Sequence, residues 1–228
     1  MKFALIGKNI QHSRSPEIYG RIIPEEIEYD LIDVEDESKL PSLAELKKKY
    51  RGINITSPYK KAYLKDVVFE SPDEYQKAIN CIRFHPDKNV ATNTDATAIE
   101  LELDLFKRIT KDVFFVILGN GVMGQLTAHI LKERNQKFQI HSRTLNPNLE
   151  ALDLSVYSGK AQLIVVINTC AREFVFKGKL HPSFIFWDYN YDFIPHQNTL
   201  PSMAKVYHDG QRMLELQALA AAKFWKMI

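Results

Sequence analysis

The sequence predicts an α/β fold in two domains, and three observations predict it. Val113 to Leu118 (VFFVIL) is an unbroken apolar run, the pattern of a parallel strand buried on both faces. Gly119-Asn120-Gly121-Val122-Met123-Gly124 follows it directly and leads into Leu126, Ile130 and Leu131 at helical spacing. That is the strand–turn–helix context a dinucleotide-binding glycine turn requires. Upstream, short apolar runs alternate with helix-spaced segments, and the character changes at Thr110-Lys111-Asp112. The boundary is therefore set near residue 110, with one α/β domain over 1–109. Residues 110–228 read as a Rossmann-type dinucleotide-binding domain plus a closing helix, which is expected to pack back on the first domain.

Taken in order, Lys2 to Gly7 reads as a buried strand stopped by glycine. Ser15 before Pro16 reads as a helix N-cap with proline at the first helical position. Ile27 to Val34 alternates as a strand does, and Leu40, Leu43, Leu46 and Tyr50 space a helix over Ser38 to Tyr50. Gly52 to Thr56 is a third strand that must turn at Ser57-Pro58, because the residue before a proline is pushed out of helical space. Residues 59–78 read as one or two short helices broken at Ser71-Pro72. Ile79 to His85 and Val90 to Thr92 read as strands joined by the turn Pro86 to Asn89, followed by a helix from about Ala96 to Arg108. After the glycine turn and its helix come strands at Lys137 to His141, Leu163 to Ile167, Ser183 to Trp187 and Ala204 to Tyr207. A helix runs from Gln211 to the end.

Composition excludes several function classes. Thirty basic and 28 acidic side chains leave a net charge of +2, so neither sign dominates and no nucleic-acid or anionic-membrane partner is expected. Two cysteines and seven scattered histidines form neither a C-x-x-C pair nor a metal-ligand spacing, so no metal is expected. The N-terminal apolar run is too short for a signal peptide, and no window approaches eighteen apolar residues. A cytoplasmic protein acting on a small molecule is the expectation.

The glycine turn assigns roles by position. Gly119 permits the tight turn, Gly121 lets backbone approach a pyrophosphate, and Gly124 lets helix and strand pack closely. The next strand ends in His141-Ser142-Arg143-Thr144, with no carboxylate for a ribose 2′-hydroxyl. Arg143 suits a 2′-phosphate, which favours NADP over NAD. In the first domain, Ser13 and Ser15 flank a helix start where a carboxylate is favoured, although Ser15 also serves as an ordinary cap. Lys60 and Asp95 each follow a predicted strand. Such a pair can move a proton at a carbinol carbon while hydride goes to a nicotinamide; a solvated surface lysine is the competing reading, and spacing cannot supply the pairing.

The order of these motifs resembles the shikimate dehydrogenase family nearly end to end. Ile6-Gly7 with His12 to Pro16 looks like its opening segment, and Asn54-Ile55-Thr56-Ser57-Pro58-Tyr59-Lys60 like its N-V-T-x-P-x-K signature. Ala78-Ile79-Asn80, Asn93-Thr94-Asp95, Ser142-Arg143-Thr144, Ile167-Asn168-Thr169 and Asp188 to Tyr191 follow in family order. Asp209-Gly210-Gln211-Arg212-Met213-Leu214 with Gln217-Ala218 matches the family's ending. The resemblance implies Lys60 and Asp95 as the catalytic pair. It implies Ser13, Ser15, Thr56, Asn80, Tyr191 and Gln217 as substrate ligands, with Asp95 also reaching a ring hydroxyl. Gly119, Asn120, Gly121, Val122, Met123, Gly124, Ser142, Arg143, Thr144, Asn168, Thr169 and Gly210 would hold the nucleotide. It implies reversible reduction of 3-dehydroshikimate to shikimate with NADP, in aromatic amino-acid biosynthesis, by a monomer or homodimer. An NAD-linked quinate/shikimate enzyme and a noncatalytic binding protein are the alternatives. The chain departs from the family pattern in its short span between Thr144 and Asn168. It departs again at Val122 and Met123, and at Pro147 and Asn148, where a second phosphate-binding arginine is usual.

Overall fold

The computed structural model describes residues 1–70 and 75–228. They form two compact units, Met1–Ala98 with Glu215–Ile228, and Ile99–Leu214.

The first unit is built on a six-stranded mixed sheet. Strand β1 (Lys2–Gly7) pairs in parallel with β2 (Glu28–Asp33) on one side and β3 (Gly52–Ile55) on the other. Strand β4 (Val68–Phe69) forms the far edge beside the hairpin of β5 (Cys81–Phe84) and β6 (Asn89–Thr92). The order is β2-β1-β3-β5-β6-β4, with β5 antiparallel to β3. Helix α1 (Ser15–Ile22) lies between β1 and β2, and α2 (Leu43–Lys47) between β2 and β3. Ile6, Ile53, Ile55, Ile79 and Ile82 are all at or near zero exposure in one core cluster.

The predicted helix over Ser38 to Tyr50 is shorter than the spacing suggests. A 3-10 turn at Glu37–Lys39 ends before Pro41, and α2 begins only after Ser42. Ser42 and Glu45 make a reciprocal capping box that fixes the start. The short helices predicted from residue 59 are absent over 59–70. That stretch winds through turns whose hydrogen bonds run to the third residue back, Ala62 N–H to Tyr59 and Asp66 N–H to Tyr63. The Tyr59 and Tyr63 hydroxyls donate to the Val34 and Pro41 carbonyls at 2.7 and 2.8 Å, and tie the turns down before a helix can propagate. The predicted break at Ser71-Pro72 lies outside the described residues.

Helix α3 (Thr94–Ile109) starts earlier than expected, because Asn80 Oδ1 accepts the Thr94 N–H at 2.7 Å. Asp95 is therefore in its first turn. The second unit is a five-stranded parallel sheet of β7 (Val113–Leu118), β8 (Lys137–His141), β9 (Leu163–Asn168), β10 (Ile185–Asp188) and β11 (Val206–His208). Its order, β8-β7-β9-β10-β11, places a topological switch point between β7 and β9, where folds of this kind bind ligands. Helix α4 (Val122–Glu133) links β7 to β8. Between β8 and β9 stand only two 3-10 turns, Leu149–Ala151 and Ser155–Tyr157. Leu149, Leu154 and Tyr157 are buried there and cover the sheet face that a crossover helix would cover. A short helix the sequence reading missed, α5 (Ile194–Thr199), follows β10.

Helix α6 (Gln211–Phe224) closes the chain, and its last part packs on the first unit's sheet as expected. Trp225, just past its end, is fully buried, stacks on Phe3 at 4.4 Å and donates Nε1–H to the Ile82 carbonyl at 3.0 Å. A Cβ on Gly52 would lie 2.4 Å from that indole nitrogen, so the glycine makes room for the tryptophan.

Candidate functional site

In the first unit, the C-terminal end of β3 and the start of α3 bring two charged groups together. The Lys60 ammonium donates to Asp95 Oδ2 at 2.6 Å, with side chains only 9% and 8% exposed. Two charges taken out of water this far need each other, and removing one leaves the other at a cost of roughly 3–5 kcal/mol. The Lys60 backbone is held as well, its carbonyl accepting the Ile79 N–H at 2.8 Å. This disposes of the reading of Lys60 as a solvated surface lysine.

The same unit carries a hydrogen-bonded chain of hydroxyls and amides. Asn80, 2% exposed, accepts at Oδ1 from the Thr94 N–H and hydroxyl and donates Nδ2–H to Gln217 Oε1 at 3.1 Å. Gln217 thus arrives from a helix 137 residues away in sequence. Asn54 donates to the Asn80 carbonyl at 3.1 Å, and its Oδ1 accepts from Tyr19 and Tyr29 at 2.8 and 2.7 Å. The Ser13 hydroxyl donates to the Ser15 hydroxyl at 3.1 Å. Burial pushes both tyrosines well above their usual titration range, so they stay neutral donors. Thr56 sits at the strand end with its N–H on the Ile6 carbonyl. A Cβ on Gly7 would come within 2.4 Å of the Thr56 methyl.

Ser15 is not the helix cap the sequence suggested. It is the first residue of α1, Arg14 holds the cap position without a side-chain cap bond, and the Ser13 hydroxyl accepts the Ser15 N–H at 3.3 Å. The hub residue Asn54 opens the Asn54–Lys60 motif but carries no expected role, because a lone asparagine inside a four-residue strand reads as a strand position. Only the two tyrosines that converge on it, from distant elements, reveal its part.

In the second unit the glycine turn adopts the geometry its positions implied. Gly119 has φ +104°, a region that favours glycine. A Cβ on Gly124 would lie 2.3 Å from the Gly119 carbonyl oxygen, whereas a Cβ on Gly121 would meet nothing within 4 Å. Gly121 caps α4 with no side-chain cap bond, and Val122 and Met123 open the helix. Thr169 Oγ1 donates to the Leu118 carbonyl at 2.9 Å, so the loop after β9 closes on the loop after β7. Asn120 is exposed, and its carbonyl accepts from Gln125 Nε2 at 3.3 Å.

The remaining second-unit residues fall into two groups. Ser142 is buried, its carbonyl accepting from Leu145 and Asn146, while Arg143 and Thr144 are exposed. Burial pushes the Cys170 thiol up to about 11, and the charge of Arg143 opposes the rise. Asn168 is fully buried, with Nδ2 on Asp188 Oδ1 at 2.9 Å and Oδ1 on the Cys170 N–H at 3.1 Å. It braces the loop from inside. Asp188 also accepts from His196 Nδ1 at 2.5 Å, and His196 Nε2 accepts the Phe176 N–H, a buried pair no sequence pattern signalled. The Tyr191 and Asp192 carbonyls accept from Arg172 at 2.7 and 2.9 Å. Gly210 is pressed against the Tyr189 carbonyl, where a Cβ would lie at 2.3 Å.

One unit with a mixed sheet and a buried Lys–Asp pair, and one parallel-sheet unit with a glycine turn at its switch point, define an α/β protein pairing a substrate-type domain with a Rossmann-type domain. Residues 5–82 match the family described as the shikimate dehydrogenase substrate binding domain. The chain is 29% identical over 140 residues to the shikimate dehydrogenase (NADP(+)) of Clostridium botulinum strain Hall, covering 58% of this chain and 54% of that protein. It thus spans about half the length of the curated relatives it matches. Among solved structures, the shikimate dehydrogenase of Aquifex aeolicus superposes with a TM-score of 0.77 at 20% identity, over 100% of this chain and 93% of that one. The shikimate 5-dehydrogenase of Thermus thermophilus, solved with NADP(H) and shikimate, superposes with a TM-score of 0.71 at 20% identity, over 100% and 94%. The chain therefore has the fold of the shikimate dehydrogenases and carries the pattern of their substrate-binding domain.

Proposed function

We propose that this protein is an NADP-dependent shikimate dehydrogenase that reversibly reduces 3-dehydroshikimate to shikimate in the cytoplasm. The observation that carries the reading is the buried Lys60–Asp95 pair at 2.6 Å. The family match over residues 5–82 and the names of the relatives support it.

In this reading the first unit binds substrate. Ser13 and Ser15 hold the carboxylate near the N-terminus of α1, where the helix dipole favours negative charge. Thr56, Asn80, Asp95 and Gln217 hold the ring hydroxyls. Lys60 takes or returns the proton at the reacting hydroxyl, with Asp95 accepting its N–H and fixing its direction. A site this rich in fixed polar groups discriminates against analogues that lack a hydroxyl, since each missing partner leaves a buried group unpaired.

The second unit holds the nucleotide, and its residues fit one. The open space at Gly121, the uncapped start of α4 and the tight turn at Gly119 suit a pyrophosphate on a helix N-terminus. Exposed Arg143, with Ser142 and Thr144, suits a 2′-phosphate, which favours NADP. When bound, NADP supplies the hydride acceptor for the carbinol carbon.

Two glycines should separate binding from folding. Gly121→Ala should melt as wild type but lose NADP affinity in a calorimetric titration, because its Cβ fills the space meant for phosphate. Gly124→Ala should lower stability by about 1–3 kcal/mol, the usual cost of forcing atoms into a packed site. Equal behaviour of the two variants would refute these roles.

Initial rates of nicotinamide absorbance change, measured with shikimate and quinate against NADP and NAD, test the assignment. Shikimate with NADP should be the fastest pair. Preference for quinate with NAD would move the reading to the alternative enzyme.

A further inference from the structure

The β5–β6 hairpin, the first turn of α3 and the last turns of α6 enclose an open groove of about 380 Å³ within the first unit. That volume is in the range that holds small ligands. Arg83, Lys223 and Lys226 line it together with Thr94 and Thr97, and Glu70 is the acidic residue among its described walls.

Arg83 is the fixed point. Its side chain is 12% exposed and its guanidinium lies over the Phe224 ring at 4.7 Å. Nε donates to His85 Nε2 at 2.9 Å, one terminal nitrogen donates to the Phe224 carbonyl, and the other reaches Glu70 at 3.4 Å. A guanidinium carries five N–H donors, so these contacts leave two uncommitted. The Lys223 and Lys226 side chains are exposed, and among the described residues their ammoniums make no ion pair or hydrogen bond. The local field is positive: burial first, and then the charges of Arg83, Lys88, Lys226 and Lys47, hold His85 below its usual range. Thr97 is an exposed hydroxyl in the first turn of α3, and the amino end of that long helix adds positive potential.

A preorganised guanidinium, two uncommitted ammoniums and a threonine hydroxyl facing one groove select for an oxygen-rich anion, since charge-assisted hydrogen bonds are the strong ones. We propose that this groove is a second binding site, taking a small dianionic oxyanion, either a phosphate ester or a dicarboxylate. The inference does not rest on the dehydrogenase reading. It bears on it, because Thr94 in the groove wall donates to Asn80, which holds Gln217.

The test is a calorimetric titration at low ionic strength, with inorganic phosphate and separately with malonate, on the full chain. Three proteins are compared: wild type, the groove double variant Lys223→Glu/Lys226→Glu, and the control Lys177→Glu/Lys205→Glu, which changes net charge equally on exposed lysines of the second unit. All are checked for equal melting. Wild type should show a saturable site for one or both anions, and the anion that binds identifies the ligand class. The groove variant should bind roughly tenfold or more weakly, from the loss of charge-assisted hydrogen bonds. The control should change less than about twofold, the residual effect of screened distant charge. No saturable binding to wild type overturns the proposal. So does equal weakening in the two variants, which would mark a general charge effect. So does unchanged binding in the groove variant, which would place the anion elsewhere.

Discussion

Lys60→Ala should lower kcat with shikimate by about 10²–10⁴, the range that a positioned acid–base group contributes, and leave shikimate affinity nearly unchanged. The expectation follows from where the residue sits. Lys60 is buried against Asp95 at 2.6 Å, while the Asn80–Gln217 contact and the two serines form without it. The variant also leaves the Asp95 carboxylate without its cation, a loss of roughly 3–5 kcal/mol for a buried pair. Melting must therefore be measured beside turnover. Asp95→Asn is the companion: it keeps the shape of the partner but removes its charge, and should cost turnover with a smaller loss of stability. If Lys60→Ala folds and turns over at a near-normal rate, Lys60 is not the acid–base group.

Trp225→Ala should destabilise the first unit by about 3–5 kcal/mol, the usual cost of truncating a buried aromatic to alanine. That is a large share of the roughly 5–15 kcal/mol that holds a typical domain. The indole is fully buried, stacks on Phe3, meets Tyr19 at 5.2 Å and bonds the Ile82 carbonyl. It also anchors the end of α6, the helix that delivers Gln217 to Asn80. Loss of the anchor should therefore weaken shikimate binding as well as lower the denaturation midpoint. Trp225→Phe should retain most of the stacking and lose mainly the hydrogen bond to the Ile82 carbonyl. A Trp225→Ala protein with an unchanged midpoint would show that α6 is held by other contacts.

How much of this was legible in the sequence depended on whether the physics was local. The β7 strand and the glycine turn were readable because an unbroken apolar run and three glycines each act within a few residues. Their geometry at Gly119, Gly121 and Gly124 follows from position alone. Lys137 to His141 was placed with its structural bounds. The misreadings came where tertiary contacts override spacing. The stretch from Tyr59 has helix-compatible residues, yet two tyrosine hydroxyls bound to carbonyls of a distant loop stop it short of a helix. The apolar spacing over Leu40 to Tyr50 was read through Pro41, where the chain breaks it.

The candidate site divides in the same way. Motif order pointed to Lys60, Asp95, Asn80 and Gln217, but their meeting could not be read from spacings of 35 and 137 residues. What went unseen was the supporting shell. Asn54 under Tyr19 and Tyr29, and Asp188 with His196 beneath Asn168, are single polar residues inside otherwise apolar stretches. Motif order includes Asn54 and Asp188, but nothing local marks their bracing role until their partners converge. The span between β8 and β9 also proved self-consistent: Tyr157 stacks on Phe114 at 5.5 Å and its hydroxyl meets His141 Nε2 at 2.7 Å, covering the sheet without a helix.

Oxidation of shikimate, as opposed to its binding alone, separates an enzyme from a binding protein on this fold. A single-turnover experiment tests this most directly, with protein in excess over NADP, shikimate at saturation, and nicotinamide absorbance followed after mixing. NADPH should appear in an amount set by the added nucleotide, and Lys60→Ala should abolish its formation on the same timescale. Shikimate binding by calorimetry with no NADPH formed by the wild-type protein would contradict it, and would make this a binding protein with the fold of a dehydrogenase.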